Sequence, residues 1–503
     1  LSLFHACQFT GLSLCSKRYG LVSFSNLFNL INPYMIVKQN KMDKRVNYTT
    51  NLETIFASAS SMGISAIKTI RISGKESGKI LKLLTKKHLP KPRYHSLKKI
   101  YDIKNLSLID KAVIVWLPGP KTYTGEDMVE FHIHGGNAVL EHLIKNLSFM
   151  KNVRLAKPGE FTKRAFINNK MDLLKAEAVM DLINAETETQ KKIAMQQIEG
   201  KLSEIFNNWN NRLTKMLAHY EAQIDFPEDG IPKKVENKVI KEINTLRNEL
   251  KVFLSDNRDG EIIRNGIEIV IIGAPNVGKS TLINQLARRD VALTSHVPGT
   301  TRDIIDIKLN ISNIPVIFFD TAGIKKRTQN LIEKKGILKA REKMKKSDLK
   351  LLLIDATKKI NSSSLELIDN KTIIVINKID KVNEKKLFSK INELNKLSVK
   401  KKITISVSAL KGFGINKLLK KIEKFIKKKY SNFLSGEPVI IKSRHRSAIK
   451  ECMGYMNNIN NKKNPELNAE ELRLAVQSIG EITGKFDFEQ LLDIVFKDFC
   501  IGK

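Results

Sequence analysis

The sequence predicts a mixed α/β and α chain: a doubly wound sheet domain inserted in a helical domain, with an α+β domain before both. Three observations carry this expectation. A glycine-rich loop at 273–280 stands between a strand-like run and a helix-like segment, and strand runs then alternate with helical ones. Helical spacing begins at Asp172, stops before that loop and resumes after 437–443. Short apolar runs bounded by glycine and proline fill 51–168.

The bulk composition narrows the class. A chain of 503 residues exceeds one small core, so about two to four domains are expected. Hydrophobic residues make up 42% and charged residues 28%, which fits globular protein rather than a disordered or membrane chain. The longest apolar runs, at 267–272 and 349–354, are far short of a membrane span, so no membrane partner is expected. Cys7, Cys15, Cys452 and Cys500 do not make a disulfide framework and point to a reducing compartment. The net charge of +35 suits a polyanionic partner such as RNA. It is equally what an AT-rich genome writes as lysine on any solvated surface, and both readings stand.

Residues 1–50 form a leader set apart from the rest. No Asp or Glu precedes Asp43, and Ser, Phe and Leu dominate. That pattern resembles an organelle transit peptide. Translated upstream sequence before a start at Met35 or Met42 is the alternative. The location expected is the bacterial cytoplasm, or the mitochondrial matrix if the leader is a transit peptide.

Within the folded part, 66–72 and 111–117 read as strands of the first domain, 51–168. Leu182, Ile183 and Ala185, then Ile198, Leu202, Ile205 and Phe206, mark long amphipathic helices. A break at Ile224-Asp-Phe-Pro-Glu-Asp-Gly230 interrupts them, and Pro232 opens another helix that ends near Leu254. The run 267–272 is a buried strand, followed by strands at 305–311, 315–319, 349–354, 372–376 and 403–407. A helix with Ile415, Leu418, Ile422 and Ile426 on one face closes the sheet domain, 266–430, and Lys427–429 read as its solvated end. The apolar stripe Leu472, Ala475, Val476 and Ile479 then belongs to a helical domain made of 169–265 and 431–503.

Gly273-Ala-Pro-Asn-Val-Gly-Lys-Ser280 has the phosphate-loop pattern in the right context. Its backbone amides and the helix N-terminus suit phosphate, with Asn276, Val277, Gly278, Lys279, Ser280 and Thr281 in contact. Lys279 is expected at the β- and γ-phosphates and Ser280 on Mg²⁺. Asp320, Thr321, Ala322 and Gly323 follow a strand and give the metal shell its carboxylate and a glycine that can re-orient. In Pro298-Gly-Thr-Thr-Arg-Asp303, Thr301 is the second Mg²⁺ ligand. Asn377, Lys378, Ile379 and Asp380 end another strand. The Asp380 carboxylate can accept from the guanine N1–H and 2-amino groups, which selects GTP over ATP. Ser408, Ala409 and Leu410 add donors near the guanine oxygen. Ile324 stands where Ras-like GTPases carry the Gln that orients water, so charge stabilisation must come from elsewhere. Asn276 offers an oxygen for a monovalent cation; the other reading has it only shaping the turn.

Features outside the sheet domain resemble one family. The tail Phe499-Cys-Ile-Gly-Lys503, the segments Pro118-Gly-Pro-Lys-Thr-Tyr-Thr-Gly-Glu-Asp127, His134-Gly-Gly136 and Lys157-Pro-Gly-Glu-Phe-Thr-Lys-Arg-Ala-Phe166, and Ala222-Gln-Ile-Asp-Phe-Pro-Glu228 are similar to the MnmE (TrmE) family of tRNA-modification GTPases. The resemblance runs from about Asn51 to Lys503. It implies a Ras-like GTPase domain inserted in the helical domain, and a folate-binding, homodimerising first domain. It implies a heterotetramer with the FAD- and NADH-using MnmG, acting on C5 of the wobble uridine of certain tRNAs. The one-carbon unit would come from a 5-formyl- or methylene-tetrahydrofolate-type cofactor. Arg71, Glu130, Lys170 and Lys503 match its folate-binding residues, and Cys500 its tail cysteine, as a nucleophile, a proton donor or a packing residue. The resemblance extends the nucleotide contacts over Ser295, His296, Val297, Pro298, Gly299 and Thr300. It assigns K⁺ to Asn276, Ser295, Val297 and Thr300, and the orientation of the attacking water to Glu333. Catalysis would then rest on Glu333, Lys279 and Asn276. A ribosome-assembly GTPase of the Era or Der kind is the alternative, sharing Asn276 but not the tail or the first domain.

Overall fold

The structure, a computed structural model, describes residues 53–61, 63–225, 233–255, 259–288, 306–320, 347–360, 366, 368–397, 403–429, 440–460, 464–485, 499–500 and 502. Alternating burial along β2 (Ile67–Ser73) and β5 (Met128–His134) decides how the first sheet is used. With β1 (Thr54–Ser58), β3 (His95–Tyr101), β4 (Leu108–Leu117) and β6 (Val153–Leu155) they form a sheet in the order β3-β4-β5-β2-β1-β6. Only the β1–β6 pair is parallel. One face carries Ile70, Ile72, Phe131 and Trp116 and is covered by α1 (Ser77–Thr85) and α2 (Asn137–Ser148). The other face carries Ile55, Ala57 and Met128 under Phe161 of α3 (Glu160–Ile167).

α3 is locked by charge as well as by Phe161. Arg164 is 2% exposed, and its guanidinium reaches Glu126 at 3.0 Å and Glu160 at 3.1 Å. Arg154 holds the same Glu160 at 2.6 Å. Two segments that sequence singles out, 118–127 and 157–166, are thus the two sides of one buried ion network.

This first unit comprises Leu1–Met171 and Leu492–Lys503. The tail Leu492–Lys503 thus clusters with the N-terminal part of the chain. The reason is local. Cys500 O accepts from Gly159 N (3.3 Å), and Gly502, at φ +100°, lies so close to Ser58 that a Cβ would stand 2.3 Å from its carbonyl oxygen.

The second unit is Asp172–Leu491. Asp172 caps α4 (Leu173–Ile183), and Thr187 with Gln190 forms a capping box on α5 (Glu188–Ile198). α6 (Lys201–Asp225) and α7 (Lys233–Phe253) follow, then the short α8 (Asp259–Asn265). Phe206, Trp209 and Leu213 of α6 bury against Leu472, Ala475 and Ile479 of α13 (Pro465–Thr483), with α12 (Ser443–Asn458) alongside. Asn210 donates to Val476 O at 3.1 Å across 266 residues of chain. Helices on both sides of the sheet domain therefore share one core.

Between them lies the sheet β12-β11-β10-β7-β9-β8, built from β7 (Ile267–Gly273), β8 (Asp306–Ile311), β9 (Ile314–Asp320), β10 (Leu349–Asp355), β11 (Thr372–Asn377) and β12 (Thr404–Ser406). All neighbours are parallel except the β8–β9 hairpin. α9 (Lys279–Ala287) and α11 (Ile415–Lys429) cover one face, and α10 (Glu384–Leu397) the other. The doubly wound and helical architecture is the one the sequence predicts. No helix among the described residues is long and apolar enough to cross a membrane.

The ion network makes the first unit acid-sensitive. Burial opposes the charge of Glu160, but the hydrogen bond from Arg154, the amide of Lys157 and the nearby Arg164 outweigh it and hold the carboxyl at about 2. Lowered from an ordinary 4.5, that pKa makes a contribution that is complete above about pH 4.5 and lost as pH falls toward 2. Glu160→Gln is expected to cost about 3 kcal/mol at neutral pH and to flatten the acid limb. Urea unfolding followed by Trp116 fluorescence in a Trp209→Phe background measures both. An unchanged slope across that pH window would remove Glu160 as its source.

Candidate functional site: a guanine-nucleotide pocket

The carboxyl ends of β7, β9, β10 and β11 converge on one edge of the second sheet, where doubly wound sheets bind ligands. β7 runs into the phosphate loop, and Gly278 shows why glycine is needed there. Its φ is +101°, and a Cβ would meet Asn377 Nδ2 at 2.4 Å. The Lys279 ammonium, 7% exposed at the start of α9, donates to Gly273 O and Ala274 O at 3.0 Å each. Ser280 Oγ donates to Asp320 Oδ2 at 2.9 Å. Two hard oxygen donors therefore meet at the loop, the donor type Mg²⁺ prefers.

The Asn377–Asp380 segment is tied to this loop by two side chains, Asn377 and Lys378. Asn377 Nδ2 donates to Val277 O, and Asn377 Oδ1 accepts from Ala409 N, both at 2.9 Å. Lys378, in left-handed backbone, donates to Asn276 O at 2.6 Å and to Asp355 Oδ2 at 2.8 Å. Burial opposes ionisation of Asp355, yet the bonds from Lys378 and Thr357 leave its carboxyl below the usual range. Asp380 is oriented by Ser408, whose Oγ donates to Asp380 Oδ1 at 2.6 Å. That bond is the main reason the Asp380 carboxyl lies below its ordinary value.

The structure thus gathers Asn276, Val277, Gly278, Lys279, Ser280, Thr281, Asp320, Asn377, Lys378, Ile379, Asp380, Ser408, Ala409 and Leu410 around one edge. Ser295, His296, Val297, Pro298, Gly299, Thr300 and Thr301 lie outside the described residues, as do Thr321, Ala322, Gly323, Ile324 and Glu333. Sequence reasoning missed Asp355 and the Ser408 side chain. An acid at the end of the predicted strand 349–354 was the available signal for the first. The second needed knowledge of which side chain faces Asp380.

In the first unit, Arg71 stands directly opposite Glu130 across β2 and β5, and Arg71 Nε donates to Glu130 Oε1 at 2.9 Å. The guanidinium lies 5.8 Å from the Tyr123 ring and 6.0 Å from that of Phe161. Lys170 Cε abuts Gly125, in the same loop as Tyr123. Cys500 is exposed, and its carbonyl binds Gly159, two residues from Phe161. Lys503 lies outside the described residues.

Comparison with known families decides the lineage. The model of the MnmE helical domain matches residues 173–500, and that of the GTP-binding protein TrmE N-terminus matches 54–170. The chain belongs to the MnmE family of tRNA modification GTPases. The tRNA modification GTPase MnmE of Pelagibacter ubique (strain HTCC1062) is 44% identical over 456 residues, covering 90% of this chain and 100% of that relative. MnmE of Rickettsia bellii (strain RML369-C) is 42% identical over 455 residues with the same coverage. Among solved structures, an Aquifex aeolicus Era variant bound to GDP.AlF4- is 29% identical, covering 39% of this chain and 69% of that one at a TM-score of 0.27. The G domain of the T. maritima FeoB iron transporter is 20% identical, covering 33% and 98% at a TM-score of 0.22. Within the MnmE family assignment, the nucleotide pocket is the GTPase module and the α+β unit is the TrmE-type N-terminal part.

Base selection can be tested directly at Asp380. Asp380→Asn keeps the shape and the contact with Ser408 but replaces an acceptor by an amide donor. Affinity for GTP is expected to fall by two or more orders of magnitude, and xanthosine triphosphate, whose 2-oxo group accepts from that amide, should then bind better. Titration with both fluorescent nucleotides measures this, and undiminished GTP affinity would remove Asp380 as the reader of the base.

Proposed function

We propose that this GTPase works with an FAD- and NADH-using MnmG-type partner, as a heterotetramer built on its own homodimer, to modify C5 of the wobble uridine of certain tRNAs. The group installed is carboxymethylaminomethyl or aminomethyl, with its one-carbon unit drawn from a tetrahydrofolate-type donor. The similarity along the full length of relatives named tRNA modification GTPase carries this reading. The Era or Der alternative loses support, because the TrmE-type match occupies 54–170, the region that reading leaves unexplained.

The residues at each site suit the groups proposed. Mg²⁺, held by Ser280 and Thr301 beside Asp320, would neutralise charge that builds on the phosphates. Lys279, whose ammonium is held at the loop by Gly273 O, and the loop amides would add fixed positive charge at the same oxygens. Glu333 is proposed to orient water. For the folate, Arg71 is a guanidinium flanked by two aromatic rings and backed by Glu130, and Lys170 is exposed nearby. Planar rings and cations suit a planar pterin and an anionic tail. Lys503 and Cys500 would complete that site from the tail.

K⁺ at Asn276, with Ser295, Val297 and Thr300, has one specific support. The turn uses the left-handed backbone of Asn276 (φ +62°) and its carbonyl, but its exposed side chain makes no hydrogen bond with the described residues. The side-chain oxygen is therefore spare for a cation. GTP hydrolysis is expected to be slow in Na⁺ and about two orders of magnitude faster in K⁺. Asn276→Gly, which keeps the left-handed turn and removes the oxygen, should lose most of that gain. Equal rates in both salts, or a fully K⁺-activated glycine variant, would exclude the cation role.

The modification itself is read out in cells. Deleting the gene should remove the modified wobble uridine from bulk tRNA, measured by nucleoside mass spectrometry. A variant lacking Lys279 should fail to restore it. Unaltered wobble uridines in the deletion strain would sink the tRNA reading.

A further inference from the structure

Among the described residues, α11 differs from the other lysine-rich helices, α7 and α10, in how its charge is arranged. Its 15 residues hold seven Lys and one Glu. α7 has six basic residues to three acidic ones and α10 has four to two, close to the 87 to 52 of the whole chain. An AT-rich composition explains the abundance of lysine everywhere, but not its segregation from acid on one helix.

The single acid, Glu423, is turned aside. It accepts from Ser312 Oγ at 3.0 Å and pairs with Lys427 at 2.6 Å. Lys417, Lys420, Lys424 and Lys428 are exposed, and no carboxylate of the described residues lies within ion-pairing distance of them. Their spacing of three and four residues puts them on one stripe, with Cβ atoms about 5–6 Å apart. The stripe extends over about 16 Å of helix axis. A row of point charges with that step matches successive phosphates along one nucleic-acid strand.

The helix cannot lend itself to a membrane in the usual amphipathic way. Its apolar side, Ile415, Leu418, Ile422 and Ile426, is 0% exposed in the core of the sheet domain. That anchoring also fixes the lysine row as a rigid surface.

We propose that the Lys417–Lys420–Lys424–Lys428 stripe of α11 is a docking surface for the phosphate backbone of RNA. It rests on the tRNA reading above and names where the GTPase module itself would touch that substrate. A row of lysines supplies charge without base contacts, so it adds affinity and salt dependence rather than sequence choice.

The test uses the full-length protein, unfractionated tRNA and a range of salt. Replacing the four lysines by Gln is expected to lower tRNA affinity on the order of 100-fold near 0.1 M salt and to reduce the log–log salt slope by about three. The same four changed to Arg should keep binding, which separates charge from folding. Four Lys→Gln changes elsewhere, at Lys238, Lys241, Lys385 and Lys386, should cost far less. Intrinsic GTP hydrolysis should be unchanged in all three. If the stripe variant binds like the parent, this proposal falls while the tRNA reading stands. A control variant that loses as much shows a bulk charge effect, and also overturns it. Loss of the partner protein with tRNA affinity intact reassigns the stripe to an acidic protein surface. A parent protein that binds no tRNA at low salt defeats both readings.

Discussion

The carboxamide of Asn377 spans two segments that must be in register for a guanine nucleotide to be held at all. Its NH₂ reaches the phosphate loop at Val277, and its oxygen takes the amide of Ala409. With both ends used, the loop that meets phosphate and the strand end that meets the base become one rigid body. Gly278 exists in that form because any side chain there would strike the same amide. Asp380, the proposed reader of the base, is aimed by Ser408 from the neighbouring loop. A buried amide with both groups satisfied is what lets residues 100 positions apart act as one site.

Much of this was legible in the sequence, because its signals are local. A glycine-rich loop, a strand ending in an Asp, and Asn-Lys-Ile-Asp after another strand each specify a short piece of backbone with its own chemistry. The period of the apolar residues gave the strands and helices for the same reason. What was not legible depends on side chains meeting across the fold. Ser408 was expected to act through its backbone; its hydroxyl matters through where Asp380 ends up. Asp355 drew no notice beside better-known neighbours, yet it holds Lys378 in place. Segments 118–127 and 157–166 stood out as strings, but that they are halves of one ion network around Arg164 is a fact of packing.

Charge is used in two opposite ways along this chain. Around Arg164, which is itself buried, guanidiniums and carboxylates pair in one cluster that ties α3 to the loop carrying Glu126. The helical part has a comparable cluster, where Glu177 is closed in by His445, Arg444 and Lys442. On the sheet domain the excess lysine faces solvent, where it contributes little to folding and much to the field around the molecule. The same net charge thus serves structure in one place and long-range attraction in another.

The bond from Asn210 to Val476, across 266 residues, has a consequence for how the chain is made. At roughly 5–20 residues per second of synthesis, α6 leaves the ribosome tens of seconds before its partner α13 exists. During that interval Phe206, Trp209 and Leu213 lack the α13 surface that later helps bury them. The intervening sheet domain has its own core and can close meanwhile, which converts a long, entropically costly loop into a compact linker. The first unit waits longer still, since the contact of Gly159 with Cys500 forms only once Cys500 has been made. Maturation of this fold is therefore ordered in time, with the insertion first and the parts that flank it last.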